Sequence, residues 1–325
     1  FSAARETLLK PLQAVIGVVE RRQTMPILSN VLLIARDGHL AVTATDLEVE
    51  LVAEADVETE SGGEITVSGR KLLDICRALP EGTAMNISLS GEKLAVKGGR
   101  SRFNLATLPA AEVPVIDDIK AGQSIRVPQG TLAKLIEKTH FSMAQQDVRY
   151  YLNGMLLETG GAHLRAVATD GHRLALCQAD LSTALEQQQV IVPRKGVLEL
   201  QRLMTDEGDL EIELGANHVR IQLDGIRFTS KLIDGRCPEY ERVIPKESSN
   251  ELKADRGAFR GALQRTAILS NEKYRGIRLV IRDSGVVLQA HNPEQEEAEE
   301  ELEVEYTGED IEIGFNVNYL LDALG

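Results

Sequence analysis

At 325 residues the chain exceeds what one ordinary hydrophobic core holds, which points to two or three domains. Its composition, 43% hydrophobic and 26% charged, is that of a soluble globular protein, with no basic-then-apolar leader and no run near the roughly 20 apolar residues of a membrane helix. Cys76, Cys177 and Cys237 are scattered and form no CxxC pair, which excludes a disulfide framework or zinc site, and a net charge of −14 argues, taken alone, against a nucleic-acid binder.

Taken in chain order, the predicted elements repeat three times. The first helix is read at Arg5–Arg22, with Leu8, Leu12, Val15 and Val19 as its apolar stripe and Lys10, Gln13, Gly17 and Arg21 opposite. Pro11 suits only a first helical turn, so this helix is expected to begin late. A hairpin follows at Ile27–Ala44, turning at Asp37-Gly38 and ending in Thr45-Asp46. Val67-Ser68-Gly69-Arg70-Lys71 then leads from a strand into a second helix, and Leu108-Pro109 to Pro114 forms the exit.

The second copy has a helix at Thr131–Gln146, with Leu132, Leu135, Ile136 and Met143 inward and Lys134, Lys138 and Gln145 outward. Its hairpin is read at Leu152–Ala168 around Gly160-Gly161, followed by Thr169-Asp170, Val192-Pro193-Arg194-Lys195 and an exit from Pro238 to Pro245. The third copy offers a helix at Arg256–Lys273, a hairpin at Ile277–Ala290 around Ser284-Gly285, then Asn292-Pro293 and Phe315-Asn316-Val317-Asn318. Thr45-Asp46 recurs 124 residues on as Thr169-Asp170, a spacing that sets domains at 1–117, 118–246 and 247–325. Each is expected to be α+β, two helices on antiparallel sheet. The third copy reaches Gly325 as its second helix finishes, so its C-terminal part is expected to be missing and Leu320, Leu321 and Leu324 to lack a sheet partner.

Charge is segregated by element. Over the helix windows 5–22, 70–79, 131–146, 194–204 and 256–273, basic residues outnumber acidic ones 16 to 6. Lysine and arginine are good helix formers on solvated faces, which is one account. The other is that all the helices face one polyanion, whose phosphates they meet without reading sequence. A second asymmetry lies at the ends. Residues 294–305 hold eight glutamates, whereas Lys93, Lys97, Arg100 and Arg102 lie on a strand stretch of the first copy beside Phe103 and Leu105. Unlike edges of this kind make a heterologous contact that closes into a ring or runs into a filament.

Five runs then carry a family resemblance: MAQQDVRYYLNG at Met143–Gly154, VATDGHRL at Val167–Leu174, VPRK at Val192–Lys195, ILSNEKYRG at Ile268–Gly276 and NPEQEEAEE at Asn292–Glu300. In this order, inside a triple repeat, they resemble the beta subunit of bacterial DNA polymerase III, the sliding clamps, over essentially the whole chain. The resemblance implies a cytoplasmic, non-catalytic homodimeric ring without cofactor or metal, with helices lining a hole that holds double-stranded DNA of any sequence. Implied partners are the clamp loader, replicative and repair DNA polymerases and other proteins carrying a short clamp-binding peptide, and no membrane. Implied DNA contacts are Arg22, Arg70, Gln146, Tyr150 and Tyr151. The implied peptide groove comprises Leu152, Thr169, Gly171, His172, Arg173, Leu174, Pro238, Arg242 and Val243. The dimer interface is expected to use Lys71, Ile75, Leu79, Arg100, Arg102, Phe103 and Leu105 against Ile268, Leu269, Gln295, Glu296, Glu297, Glu299 and Glu300.

Two alternatives are set beside it. An acidic peptide-binding scaffold, a diverged clamp paralogue, would not encircle DNA, and basic helix faces converging on one surface would count against it. An enzyme using Asp170 and His172 would need a deep polar cleft, and no serine, cysteine or metal-ligand companion is placed there by spacing. The Tyr150-Tyr151 pair also has an ordinary reading, packing at the start of a strand.

Overall fold

The structure is a computed structural model that describes residues 1–21, 24–116, 118–236 and 239–325, and of Ala121 the backbone alone. Arg22 and Pro238, expected at the DNA and peptide sites, and Asp117, at the first expected boundary, lie outside the described residues. The chain forms two compact units, residues 1–237 and 238–325.

In the first unit, one repeat runs β1 (Ser2–Ala4), α1 (Arg5–Val15), β2 (Asn30–Arg36), β3 (His39–Thr45), β4 (Val49–Asp56), β5 (Gly63–Ser68), α2 (Gly69–Ala78), β6 (Ala84–Ser90), β7 (Lys93–Gly98) and β8 (Ser101–Leu108). The next runs β9 (Ala121–Pro128), α3 (Gln129–Glu137), β10 (Gly154–Thr169), β11 (Leu174–Pro193), α4 (Arg194–Leu203), β12 (Asp209–Gly215), β13 (His218–Leu223) and β14 (Ile226–Lys231). The second unit holds β15 (Glu251–Lys253), α5 (Arg256–Ala267), β16 (Gly276–Arg282), β17 (Gly285–His291), β18 (Glu297–Glu303), β19 (Glu305–Thr307), β20 (Ile311–Asn316) and α6 (Val317–Leu324).

The repeat is visible in strand order. The first copy has β5-β2-β3-β4 and the third β20-β16-β17-β18, all antiparallel. In the second, residues 154–159 pair with 188–193 and residues 163–169 with 174–180. Arg165 Nη1 lies 3.5 Å from Glu158 Oε1. Seven residues of straight strand span about 23 Å, beyond the reach of these two side chains. The run therefore turns back at Gly160-Gly161, where Gly161 takes a φ of 54°, at the place where the other copies have their hairpin turn. At the first hairpin, Asp37 (φ 50°) and Gly38 (φ 79°) supply the left-handed pair that a tight turn between twisted strands requires.

The helix limits differ from those expected. The 5–22 helix ends at Val15 and continues as a 3₁₀ turn at Ile16–Val18, and the 131–146 helix ends at Glu137. The 256–273 helix ends at Ala267. In each case the apolar period runs on through a tighter turn or loop, so periodicity alone overshoots. Pro11 does not delay the first helix. It sits inside α1, where its missing N–H forgoes one helical hydrogen bond while its ring is buried among Leu8, Leu12 and Val15. Tyr150 and Tyr151 do not start a strand; they lie on a 3₁₀ turn at Tyr150–Leu152, ahead of β10.

In the first unit twelve strands form one sheet, because β14 of the second repeat pairs with β4 of the first, Ile226 opposite Ala53 and Phe228 opposite Leu51. Phe228 and Leu51 are both fully buried in the core that runs through the unit. The second unit has its own core around Leu263, Ile277, Leu279 and Leu288. Leu320, Leu321 and Leu324, expected to be uncovered, are half-buried against that core.

Candidate functional site: a helix row and an adjoining turn

The four helices of the first unit form a row, α2 against α1, α1 beside α4, and α4 against α3. The α1–α4 contact is specific. Arg202 of α4 donates to the carbonyls of Gln13 (3.0 Å) and Ala14 (2.6 Å), capping the C-terminal end of α1, where a cation is favoured. Gly17 allows the close approach, since an added Cβ there would collide with the Glu199 carboxylate. At the other end of α4, Lys195 bonds Asp46 and Glu20, the latter at 2.7 Å. Burial disfavours its charge, but these hydrogen bonds outweigh burial and its pKa is raised.

Counted over the observed limits of the six helices among the described residues, basic residues number 12 and acidic ones 5, against 24 and 45 in the rest of the sequence. The segregation therefore survives the shorter helices. In the first unit Lys10, Lys71, Arg77, Lys134 and Arg202 are exposed along the row. Arg70 is half-buried and donates to the Val19 carbonyl at 2.7 Å, leaving its Nε buried without a partner. A row of exposed cations is suited to phosphates and offers little to base edges.

Beyond α3 the chain forms a loop that carries Gln146, Tyr150 and Tyr151. Gln146 is exposed at φ 57°, Tyr150 is 57% exposed, and the two tyrosine rings meet edge to face at 6.0 Å. Internal hydrogen bonds fix the loop. Asn153 accepts from the Asp147 N–H (2.9 Å) and donates to the Asp147 carbonyl (3.0 Å). Arg149 donates from its backbone N–H and from Nε and Nη2 to the Asp147 carboxylate, which is held down at a pKa of about 2 by those bonds. Nothing in the sequence marks Arg149 and Asp147, because their pairing depends on this fold-back.

The Asp170–Arg173 turn lies beside that loop, because Arg149 Nη2 also faces the Asp170 carbonyl at 3.4 Å. Thr169 Oγ1 accepts from Gly171 N–H (3.1 Å), and Asp170 Oδ1 accepts from His172 N–H (2.9 Å) and Arg173 N–H (3.0 Å). Arg173 reaches back to the Phe141 carbonyl at 2.7 Å and lies over its ring. The structure thus brings Thr169, Gly171, His172, Arg173 and Leu174 into one turn, with Leu152 buried behind the neighbouring loop. Arg242 and Val243 belong to the second unit, on and just after a 3₁₀ turn, and Val243 is 69% exposed.

Of the residues expected at a dimer interface, Lys71, Arg100 and Arg102 are exposed, Phe103 and Leu105 half-buried, and Ile75 and Leu79 already buried in the core. In the second unit Ile268 is 76% exposed and Leu269 half-buried. Gln295, Glu296, Glu297 and Glu299 are exposed, while Glu300 holds Arg265, a hydrogen bond that lowers the Glu300 pKa.

Comparison with known proteins decides the family. Models of the DNA polymerase III beta subunit match three successive stretches, the N-terminal domain over residues 1–117, the central domain over 126–239 and the C-terminal domain over 241–325. The chain belongs to the DNA polymerase III beta subunit family. It is 57% identical to the beta sliding clamp of Pseudomonas putida and 53% identical to that of Escherichia coli K12, in each case over all of this chain and 89% of the relative. A crystal structure of the Pseudomonas aeruginosa sliding clamp bound to griselimycin superposes with a TM-score of 0.96 at 55% identity, over all of this chain and 89% of that one. A Caulobacter crescentus sliding clamp gives 0.94 at 42%, over 99% and 88%. The function of this beta subunit homologue is that of a DNA sliding clamp.

Proposed function

We propose that two copies of this chain close head to tail into a ring around duplex DNA, with the helices facing the DNA and no chemistry performed. The observation that carries the reading is the junction inside the first unit. Counting from the two-residue turns that begin β8 and β14, Arg102-Phe103 occupies the place of Arg227-Phe228. Counting from the β2–β3 and β16–β17 hairpins, β18 occupies the place of β4, with Glu297 standing for Glu50. Within the unit β14 pairs with β4, and Arg227 lies 3.7 Å from the buried Glu50. The same pairing between chains would set β8 of one copy against β18 of another and Arg102 near Glu297. It would cover the exposed edge of β18, where unpaired backbone groups invite a further strand. Phe103, Leu105 and Ile268 would supply most of the affinity, because exposed ion pairs contribute only about 0–1 kcal/mol.

DNA contacts in this reading are Arg22, Arg70, Gln146, Tyr150 and Tyr151, and binding is sequence-independent and salt-sensitive. The helix row on one face favours it over a scaffold that never encircles DNA. The Thr169–Leu174 turn with Leu152 forms one wall of a site for a peptide borne by polymerases and the clamp loader. The Asp170 carboxylate is engaged in holding its own turn, which supports a non-catalytic role. Among the described residues no helix is long and apolar enough to cross a membrane. A cytoplasmic location belongs to this reading because the relatives are subunits of a replicative DNA polymerase. The test is topological. Once loaded, the protein should stay on circular duplex DNA at high salt and slide off the same DNA after linearisation. Equal retention on both forms would refute the ring.

A further inference from the structure

The Thr45–Val49 and Thr169–Arg173 turns are built alike, 124 residues apart. Thr45 Oγ1 accepts from Leu47 N–H at 3.1 Å, as Thr169 Oγ1 does from Gly171. Asp46 Oδ1 accepts from Glu48 and Val49, as Asp170 Oδ1 does from His172 and Arg173. The residue between is left-handed in both, Leu47 at φ 80° and Gly171 at φ 89°. The first turn shows that this backbone accepts a leucine, at a cost that a side chain in this region ordinarily carries. Backbone conformation alone therefore does not require glycine at 171.

What a side chain there would meet is Arg149. A Cβ added to Gly171 would fall 2.9 Å from Nη2 and 3.0 Å from Nη1 of Arg149, so the guanidinium lies flat against the space that the missing side chain leaves. The same guanidinium holds Asp147 and faces the Asp170 carbonyl. Asn153, which brackets Asp147, also accepts from the N–H of Arg194, the first residue of α4. A continuous set of hydrogen bonds thus runs from the helix row through the Gln146–Tyr151 loop to the turn.

We propose that Arg149 is a positioning residue that latches this loop onto the Asp170–Arg173 turn, so that DNA held at the loop tightens ligand binding at the turn. The proposal rests on the reading of the loop as DNA-facing and the turn as part of the peptide site. Its physical content is preorganisation. A loop ordered by DNA fixes the guanidinium, and the turn then loses less freedom when a ligand seats on it. Coupling of this kind is reciprocal.

The probe is griselimycin, which crystal structures of the Pseudomonas aeruginosa and Bartonella birtlesii relatives contain. Its Kd for the full chain is measured by calorimetry at low salt, with and without saturating random-sequence duplex DNA. The native chain should bind griselimycin about fivefold or more tightly when DNA is present, the lower range of measured couplings. Arg149→Ala should bring the ratio close to one. Arg149→Lys should do the same, because an ammonium keeps the charge but not the planar fork. Gly171→Ala should also abolish the ratio and change it no further in the Arg149→Ala background. A native ratio of one with both ligands bound, or an unchanged ratio in Arg149→Ala, overturns the latch. A Gly171→Ala effect that persists undiminished without Arg149 also overturns it, because the methyl would then act on the ligand directly. If the native chain binds neither griselimycin nor duplex, the reading of the two sites fails first and the latch falls with it.

Discussion

Replacing Phe103 by alanine should dissolve the dimer while leaving the chain folded. Its counterpart, Phe228, is fully buried where β14 meets β4, opposite the equally buried Leu51. Truncating such a phenylalanine typically costs ~3–5 kcal/mol. Phe103 is already half-covered by its own chain, so the lower figure of ~3 kcal/mol applies to each seam between chains. A head-to-tail ring of two has two such seams, and the variant loses ~6 kcal/mol, roughly a 10⁴-fold rise in the dimer dissociation constant. Sedimentation velocity over a dilution series would read this directly. Phe228→Ala is the control, because the same deletion inside the chain should lower the melting temperature and leave assembly stoichiometry unchanged. A Phe103→Ala protein with an unaltered dissociation constant would refute the equivalence of the two junctions. So would a variant that loses as much thermal stability as Phe228→Ala.

Two further outcomes follow from the packing and the charges. Asp147 titrates well below the ordinary carboxylate value of ~3.9, so the loop order it supports should be fully present above that pH and lost as the pH falls through about 2. Asp147→Asn should show the disordered loop already at neutral pH by hydrogen exchange, and exchange rates matching the native chain at pH 7 would contradict the role given to Arg149. In the second unit the core cluster has ten buried members among the described residues, so Leu263→Ala should cost ~2–5 kcal/mol and accelerate exchange throughout the unit. Acceleration confined to α5 would show that the unit does not unfold as one.

The sequence made the triple repeat readable because its turns carry their own chemistry. Asp37-Gly38 and Gly160-Gly161 can each reverse a strand, and Thr45-Asp46 and Thr169-Asp170 each bond their own backbone. Helix ends were not readable. Ile16, Val18 and Val19 keep the apolar spacing that a 3₁₀ turn and a following extended residue satisfy as well as an α-helix does. Pro11 misled for a related reason, since burial of its ring is a property of the packed core and not of the local sequence. Arg149 was out of reach altogether. It lies 22 residues from Gly171 in sequence, and only the close approach of loop and turn shows that the glycine admits a guanidinium.

The β4–β14 ladder makes the boundary between the first two repeats a matter of hydrogen bonding as much as of chain connectivity. In the proposed ring, two seams of one design would differ in a single respect, whether a linker spans them. The seam within the chain is held at the high local concentration that a short tether imposes, so dilution does not act on it. The proposed seam between chains would have no tether and would obey mass action, loosening as copies become scarce. Under load, a ring of this construction would part at the untethered seam first, without distorting any repeat. In the proposed ring, where it opens would thus be decided by covalent continuity, with the contacts at the two kinds of seam alike.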